Sequence, residues 1–143
     1  VVRVIATEAN TTLTYDPPPM DAPTMIAGPG EFVELAPSAE PFVLVADKPV
    51  VVAQYMLGAT FDGEETDPAM LIALPVARWH TSHWVHTLPD WLPIDVDILA
   101  PAGANVTRDG TPVTNFTDIG DSPYRVAHVR LTSDVGLVEI AAD

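Results

Sequence analysis

Three histidines recur every third residue in the stretch RWHTSHWVHTLP, residues 78–89: His80, His83 and His86. On one helical face three imidazoles would make a zinc site. Their neighbours argue for sheet instead, because Trp79, Thr81, Trp84, Val85 and Thr87 are β-prone and successive strand residues point to opposite faces. On a strand only His80 and His86 share a face, with no acidic third ligand nearby, so they are the positions to test against plain packing of rings on a half-exposed strand. The acidic stretch DGEETD, residues 62–67, offers the oxygen donors that Ca²⁺ takes, through Asp62, Glu64 and Asp67. It lacks the EF-hand pattern with its distal Glu, so a solvated loop is the alternative and Ca²⁺ is the one cofactor suggested.

Catalysis has less to work with. Ser82 adjoins His83, but neighbours along a strand face apart, and there is no G-x-S-x-G elbow. Asp95 and Asp97 form a carboxylate pair of the kind used in acid–base work, yet their alternation with Ile94, Val96 and Ile98 is explained by a strand with one wet face. The expectation is a non-enzymatic protein. Trp79, Trp84 and Trp91 could stack on sugar rings or pack in a core. Asn10, Asn105 and Asn115 open N-x-T sequons, which would mark exposed loops in a host that glycosylates.

The elements that must position these residues are short. PFVLVADKPVVVAQYM, residues 41–56, holds two apolar runs hinged at Asp47-Lys48-Pro49, where Pro49 and its effect on Lys48 forbid a continuous helix. It predicts a hairpin buried at the centre of the fold. Val1 to Ala6 and Thr11 to Tyr15 read as an opening hairpin, and the proline-rich residues 16–30 as an extended surface loop. Glu31 to Leu35 should pair near that hairpin, and Ala69 to Ala77 reads as another buried run broken by Pro75. Leu92 to Ala100, Tyr124 to Thr132 and Leu137 to Ala142 are further strands, while Asp109-Gly110 is a two-residue hairpin signal between Val106-Thr107-Arg108 and Thr111-Pro112-Val113. The expected fold is all-β, an antiparallel β-sandwich-like domain with little or no helix.

Totals narrow the partners. Six basic against twenty acidic residues give a net charge of −14, which argues against nucleic acid and against an anionic membrane surface. No apolar run approaches the roughly 18 residues of a membrane helix, so no membrane insertion is expected. Without cysteine there are no disulfides or thiolate metal sites. The first residue already lies in a strand-like run, which suggests an internal piece of a longer protein.

An internal repeat organises the chain. A shift of 93 places Ile5 on Ile98, Leu13 on Val106, Thr14 on Thr107 and Asp16 on Asp109; a shift of 96 places Val33 on Val129, Leu44 on Ile140, Ala46 on Ala142 and Asp47 on Asp143. The chain then divides into a first β-repeat at 1–60, a connecting segment with two strands at 61–91, and a second repeat at 92–143, together one compact unit. The second copy stops before the counterpart of Val50 to Met56. The expectation is an apolar strand supplied after Asp143, or by a neighbouring chain through strand addition.

The segments VRVIATEANTTLTY (2–15), GEFVELAP with VADKPVVVAQY (30–55), DPAMLIALPV (67–76), DVDILAPAGANVTRDGTPV (95–113) and IGDSPYRVAHVRL (119–131) stand in an order that resembles the N-terminal domain of IgG Fc-binding protein. The resemblance covers nearly the whole chain. It implies a secreted or cell-surface, non-enzymatic module of the kind found in animal mucus proteins and large bacterial extracellular proteins, and the lack of cysteine points to a bacterial member. It carries no catalytic or ligand residues. The leading function is adhesion, protein–protein interaction or surface-structure assembly, including self-association by strand addition at the C-terminal edge. The alternative is a carbohydrate-binding module using its exposed tryptophans.

Overall fold

A computed structural model describes residues 1–56, 69–91, 93–133 and 136–143, with Trp91 described by its backbone. The chain divides into two units, Val1–Arg78 and Trp79–Asp143. The division falls inside the segment 61–91 that was expected to connect two repeats. Regular structure among the described residues is strand, apart from one-turn 3-10 segments at Val76–Arg78 and Pro89–Trp91.

In the first unit the strands are β1 (Val2–Ala6), β2 (Thr11–Asp16), β3 (Met25–Ile26), β4 (Phe32–Leu35), β5 (Val43–Ala46), β6 (Val50–Tyr55) and β7 (Met70–Ile72). They form two antiparallel sheets, in the orders β4-β1-β6-β7 and β3-β2-β5. Alternation decides which side chains face inward: Leu13 and Tyr15 are buried on β2 while Thr12 and Thr14 are exposed. Val4, Ala6, Leu13, Tyr15, Ile26 and Leu35 build one core from both sheets, closed by Val33, Leu44, Val50 and Val52. Full burial of each such Val or Leu contributes roughly 1.5–3 kcal/mol, so the core rather than any single polar contact carries the unit.

Two expected hairpins are corrected. β5 and β6 do not pair with each other, because β5 lies beside β2 and β6 beside β1. Asp47-Lys48-Pro49 is thus an arch that carries the chain from one sheet to the facing one. The same holds for β1 and β2, joined across 7–10 but placed in different sheets. Continuous apolar runs on both sides of a short link fit an arch as well as a hairpin, since both bury the same residues. The loop 16–30 does contain a ladder, for β3 pairs with β2 and Ile26 is buried. The run 69–77 is not buried: Met70, Leu71, Ile72, Leu74 and Val76 are all exposed.

The second unit holds β8 (Ser82–Thr87), β9 (Ile94–Pro101), β10 (Val106–Arg108), β11 (Thr111–Pro112), β12 (Thr117–Asp118), β13 (Tyr124–Leu131) and β14 (Gly136–Ala142). Its antiparallel sheets run β11-β10-β14-β8 and β12-β13-β9. Ile98, Ala100, Val106, Ala127, Leu131, Val138 and Ile140 form its core. The β10–β11 turn is a true hairpin, with Asp109 at φ 46° and Gly110 at φ 76°, the left-handed pair that a type I′ turn demands.

The two units share ladder registers. Leu13↔Ala46, Thr14↔Val45 and Tyr15↔Leu44 in the first answer to Val106↔Ala142, Thr107↔Ala141 and Arg108↔Ile140 in the second, at the shifts of 93 and 96 read from the sequence. The opening strand differs by one residue. Val2↔Leu35 and Val4↔Val33 answer to Ile94↔Leu131 and Val96↔Val129, which sets Ala6, not Ile5, on Ile98. A slip of one would turn the whole inward face of the strand outward.

Candidate functional site

The backbone edge of β9 is the feature that sets the second unit apart from the first. β1 is flanked by β4 and β6, whereas β9 is paired with β13 and, among the described residues, with no strand on its other side. The direction of its amides follows from alternation. On the β6 side of β1, Thr7 donates its N–H to Pro49 at 3.3 Å and Tyr55 donates to Val1 at 2.8 Å, so Arg3 and Ile5 between them aim the same way. The corresponding residues of β9 are Asp95 and Asp97, with Leu99 matching Thr7. Ala102, of the opposite parity, donates to Pro123 beside β13 at 2.8 Å, which fixes the same alternation there. The N–H and C=O groups of Asp95, Asp97 and Leu99 therefore face the open edge, as a template for one more strand.

Side chains give that edge its charge. Arg3 pairs with Glu34 across β1 and β4 at 2.7 Å, and in the second unit Asp95 faces Arg130 at 3.6 Å, the same ladder position with the signs exchanged. Asp97 meets Nδ1 of His128 at 2.6 Å. In the first unit the Arg3 guanidinium also lies over the rings of Phe32 and of Tyr55, at 4.5 and 5.3 Å from their centroids, so β6 supplies an electron-rich face to the cation beside it.

The histidines do not converge. His80 lies before β8, where its carbonyl sits 3.0 Å from Nε2 of His83 and the two rings meet edge-on at 6.2 Å. His86 is on the opposite face of β8 from His83, beside Leu137. This corrects the expectation that His80 and His86 share a strand face, because the strand begins only at Ser82. Among the described residues no three His, Asp or Glu side chains are grouped to hold a metal ion. Asp62, Glu64 and Asp67 lie outside the described residues. Ser82 donates to Glu139 at 3.3 Å, Asp95 faces Arg130 at 3.6 Å, and Asp97 meets His128 at 2.6 Å.

A family model described as IgGFc binding protein matches residues 1–143. The chain belongs to that family. No curated protein and no solved structure matches it. The IgGFc-binding family is one of protein-binding modules, and its members are typically extracellular. No described helix is long and apolar enough to cross a membrane.

For an IgGFc-binding module, the remaining sequence candidates take modest positions. Trp79 is half-buried with its ring edge-on to Tyr124 at 5.5 Å. Trp84 is 61% exposed on β8, on the same outer face as Leu137. The side chain of Trp91 lies outside the described set. Asn10, Asn105 and Asn115 are all exposed, although the Asn105 and Asn115 amides are held by Asp143 and by the His128 carbonyl, each at 2.9 Å. Sequence reasoning by side-chain chemistry missed the backbone groups of the β9 edge.

Proposed function

We propose that this chain is a non-enzymatic adhesion or surface-assembly module, built from two related β-repeats, that engages protein partners by accepting a strand at the outer edge of β9. The observation that carries the reading is the sheet order: β6 covers β1 in the first unit, and the matching side of β9 is open among the described residues. Edge strands left open are templates for pairing with another chain. The uncharged, exposed run Met70 to Val76 at the end of the first unit's sheet adds apolar surface suited to protein contact.

A graft tests this. A chain extended after Asp143 by the sequence of Lys48 to Met56 reproduces the link and strand that follow Asp47. The added strand is expected to fold onto β9 and to raise the thermal unfolding midpoint by more than about 4 °C, the shift that roughly 1 kcal/mol produces in a small domain. An unchanged midpoint would count against the reading.

The exposure of Trp84 beside Leu137 supports a second reading, glycan binding through ring stacking. Glycan-array binding by the native chain that disappears in Trp84→Ala would favour it.

A further inference from the structure

The second unit holds a pocket at a place where the first is packed with rings. In the first unit the buried Tyr15 meets Phe42 edge-on at 5.9 Å, within the core cluster that includes Val33, and its hydroxyl donates to the Pro23 carbonyl at 2.8 Å. The ladders match Tyr15 with Arg108 and Val33 with Val129, and the same register puts Val138 in the place of Phe42. Neither replacement carries a ring. Beside Arg108 and Val129 lies instead a cavity of about 160 Å³, completed by Thr111, Pro112, Val113, Thr114 and Asn115. Every residue of its wall belongs to the second unit. The cavity lies on the side of β13 away from β9, where β12 flanks β13 and Nδ2 of Asn115 donates to the His128 carbonyl at 2.9 Å.

Size and lining together say what fits. A cavity of about 150 Å³ holds benzene, so this one takes a single six-membered ring. Pro112, Val113 and Val129 offer apolar surface to the face of that ring. The hydroxyls of Thr111 and Thr114 donate and accept, and Asn115, fixed through its Nδ2, keeps its Oδ1 as an acceptor. A plain hydrocarbon ring would take these polar groups out of water without replacing their hydrogen bonds, whereas a ring bearing hydroxyls satisfies them. Arg108 adds the last condition. In a chain with six basic and twenty acidic residues, a half-buried guanidinium in the pocket wall marks the ligand as an anion. Its planar fork carries five N–H donors, more than one neighbour uses, and matches a carboxylate bidentately. A planar carboxylate also needs less room beside the ring than a tetrahedral phosphate.

We propose that this pocket binds an acidic monosaccharide, a pyranose ring that carries a carboxylate. Arg108 holds the carboxylate, Thr111, Thr114 and Asn115 hold the hydroxyls, and Pro112, Val113 and Val129 pack on the ring. The site is independent of strand addition at β9 and of Trp84, since β11 and β8 form opposite edges of their sheet.

The test uses the full chain, ¹⁵N-labelled, titrated with methyl glucuronide, with methyl glucoside, which lacks the carboxylate, and with acetate, which lacks the ring. Methyl glucuronide is expected to shift the amides of Thr111, Val113, Thr114 and Asn115 and the Nε–H of Arg108, with a dissociation constant of about 1 mM, the range open to one sugar ring. It should bind about ten-fold tighter than either of the other two, the gain of a charge-assisted hydrogen-bonded pair. Arg108→Gln should lower its affinity to that of the glucoside, and Arg108→Tyr, which restores the ring of the first unit, should abolish binding. Equal affinity of the native chain for glucuronide and glucoside would overturn the role of the charge, and equal affinity for glucuronide and acetate would overturn that of the ring. The absence of shifts at these five residues with any of the three ligands would overturn the site itself.

Discussion

At the scale of single residues, two aspartates do the same work in the two units. Asp47 accepts the backbone N–H of Thr12 at 2.7 Å, and Asp143 accepts that of Asn105 at 3.0 Å. Each carboxylate ties the end of one inner strand to the start of its neighbour. The Asn105 side-chain amide, followed by its backbone N–H, holds the Asp143 carboxyl below the usual carboxylate range. A depressed folded-state value means that the ionised form favours folding: its contribution is complete above the unfolded value and disappears as pH falls through the folded one. The contact should therefore persist as pH drops past about 4 and be lost only in more acidic solution. An NMR titration of Asp143 should show its midpoint moving upward in Asn105→Ala, and an unmoved midpoint would refute this account. The Arg3–Glu34 pair is exposed, and exposed pairs contribute little on average, so its interest lies in its mirrored counterpart at Asp95 and Arg130.

At the scale of elements, strand existence was legible in the sequence and strand pairing was not. The alternation from Ile94 to Ala100, the run Tyr124 to Thr132 and the Asp109-Gly110 turn all appear within a residue or two of where they were expected. Period and turn chemistry are local, so a sequence displays them. Whether 7–10 or 47–49 joins two strands of one sheet or of two facing sheets is not local, because either route buries Val4, Leu13, Leu44 and Val52. The shifts of 93 and 96 read from the sequence supplied part of what periodicity lacked, since Leu13↔Ala46 and Val106↔Ala142 are pairs in the two units' ladders. The alignment slipped by one residue at Ile5, where few identities fix it. The exposure of Met70, Leu71 and Ile72 could not be read from composition, since an apolar strand at the end of a sheet has the same letters as one at its centre.

At the scale of the whole molecule, a strongly acidic chain presents two β units of related strand plan, and among the described residues the second has no strand on the side of β9 where the first has β6 beside β1. Membership of the IgGFc-binding family makes protein contact the expected use of such a scaffold. The candidate site is accordingly a line of backbone amides flanked by carboxylates, which no search for catalytic or metal-ligand spacing would find. Native-state hydrogen exchange on the unmodified chain tests this most directly, because the covered and open versions of one edge can be compared in a single sample. Arg3 and Ile5 are predicted to exchange slowly and Asp95 and Asp97 rapidly, at rates set by solvent access rather than by unfolding of the second unit. Equal protection of all four amides would contradict an open edge at β9.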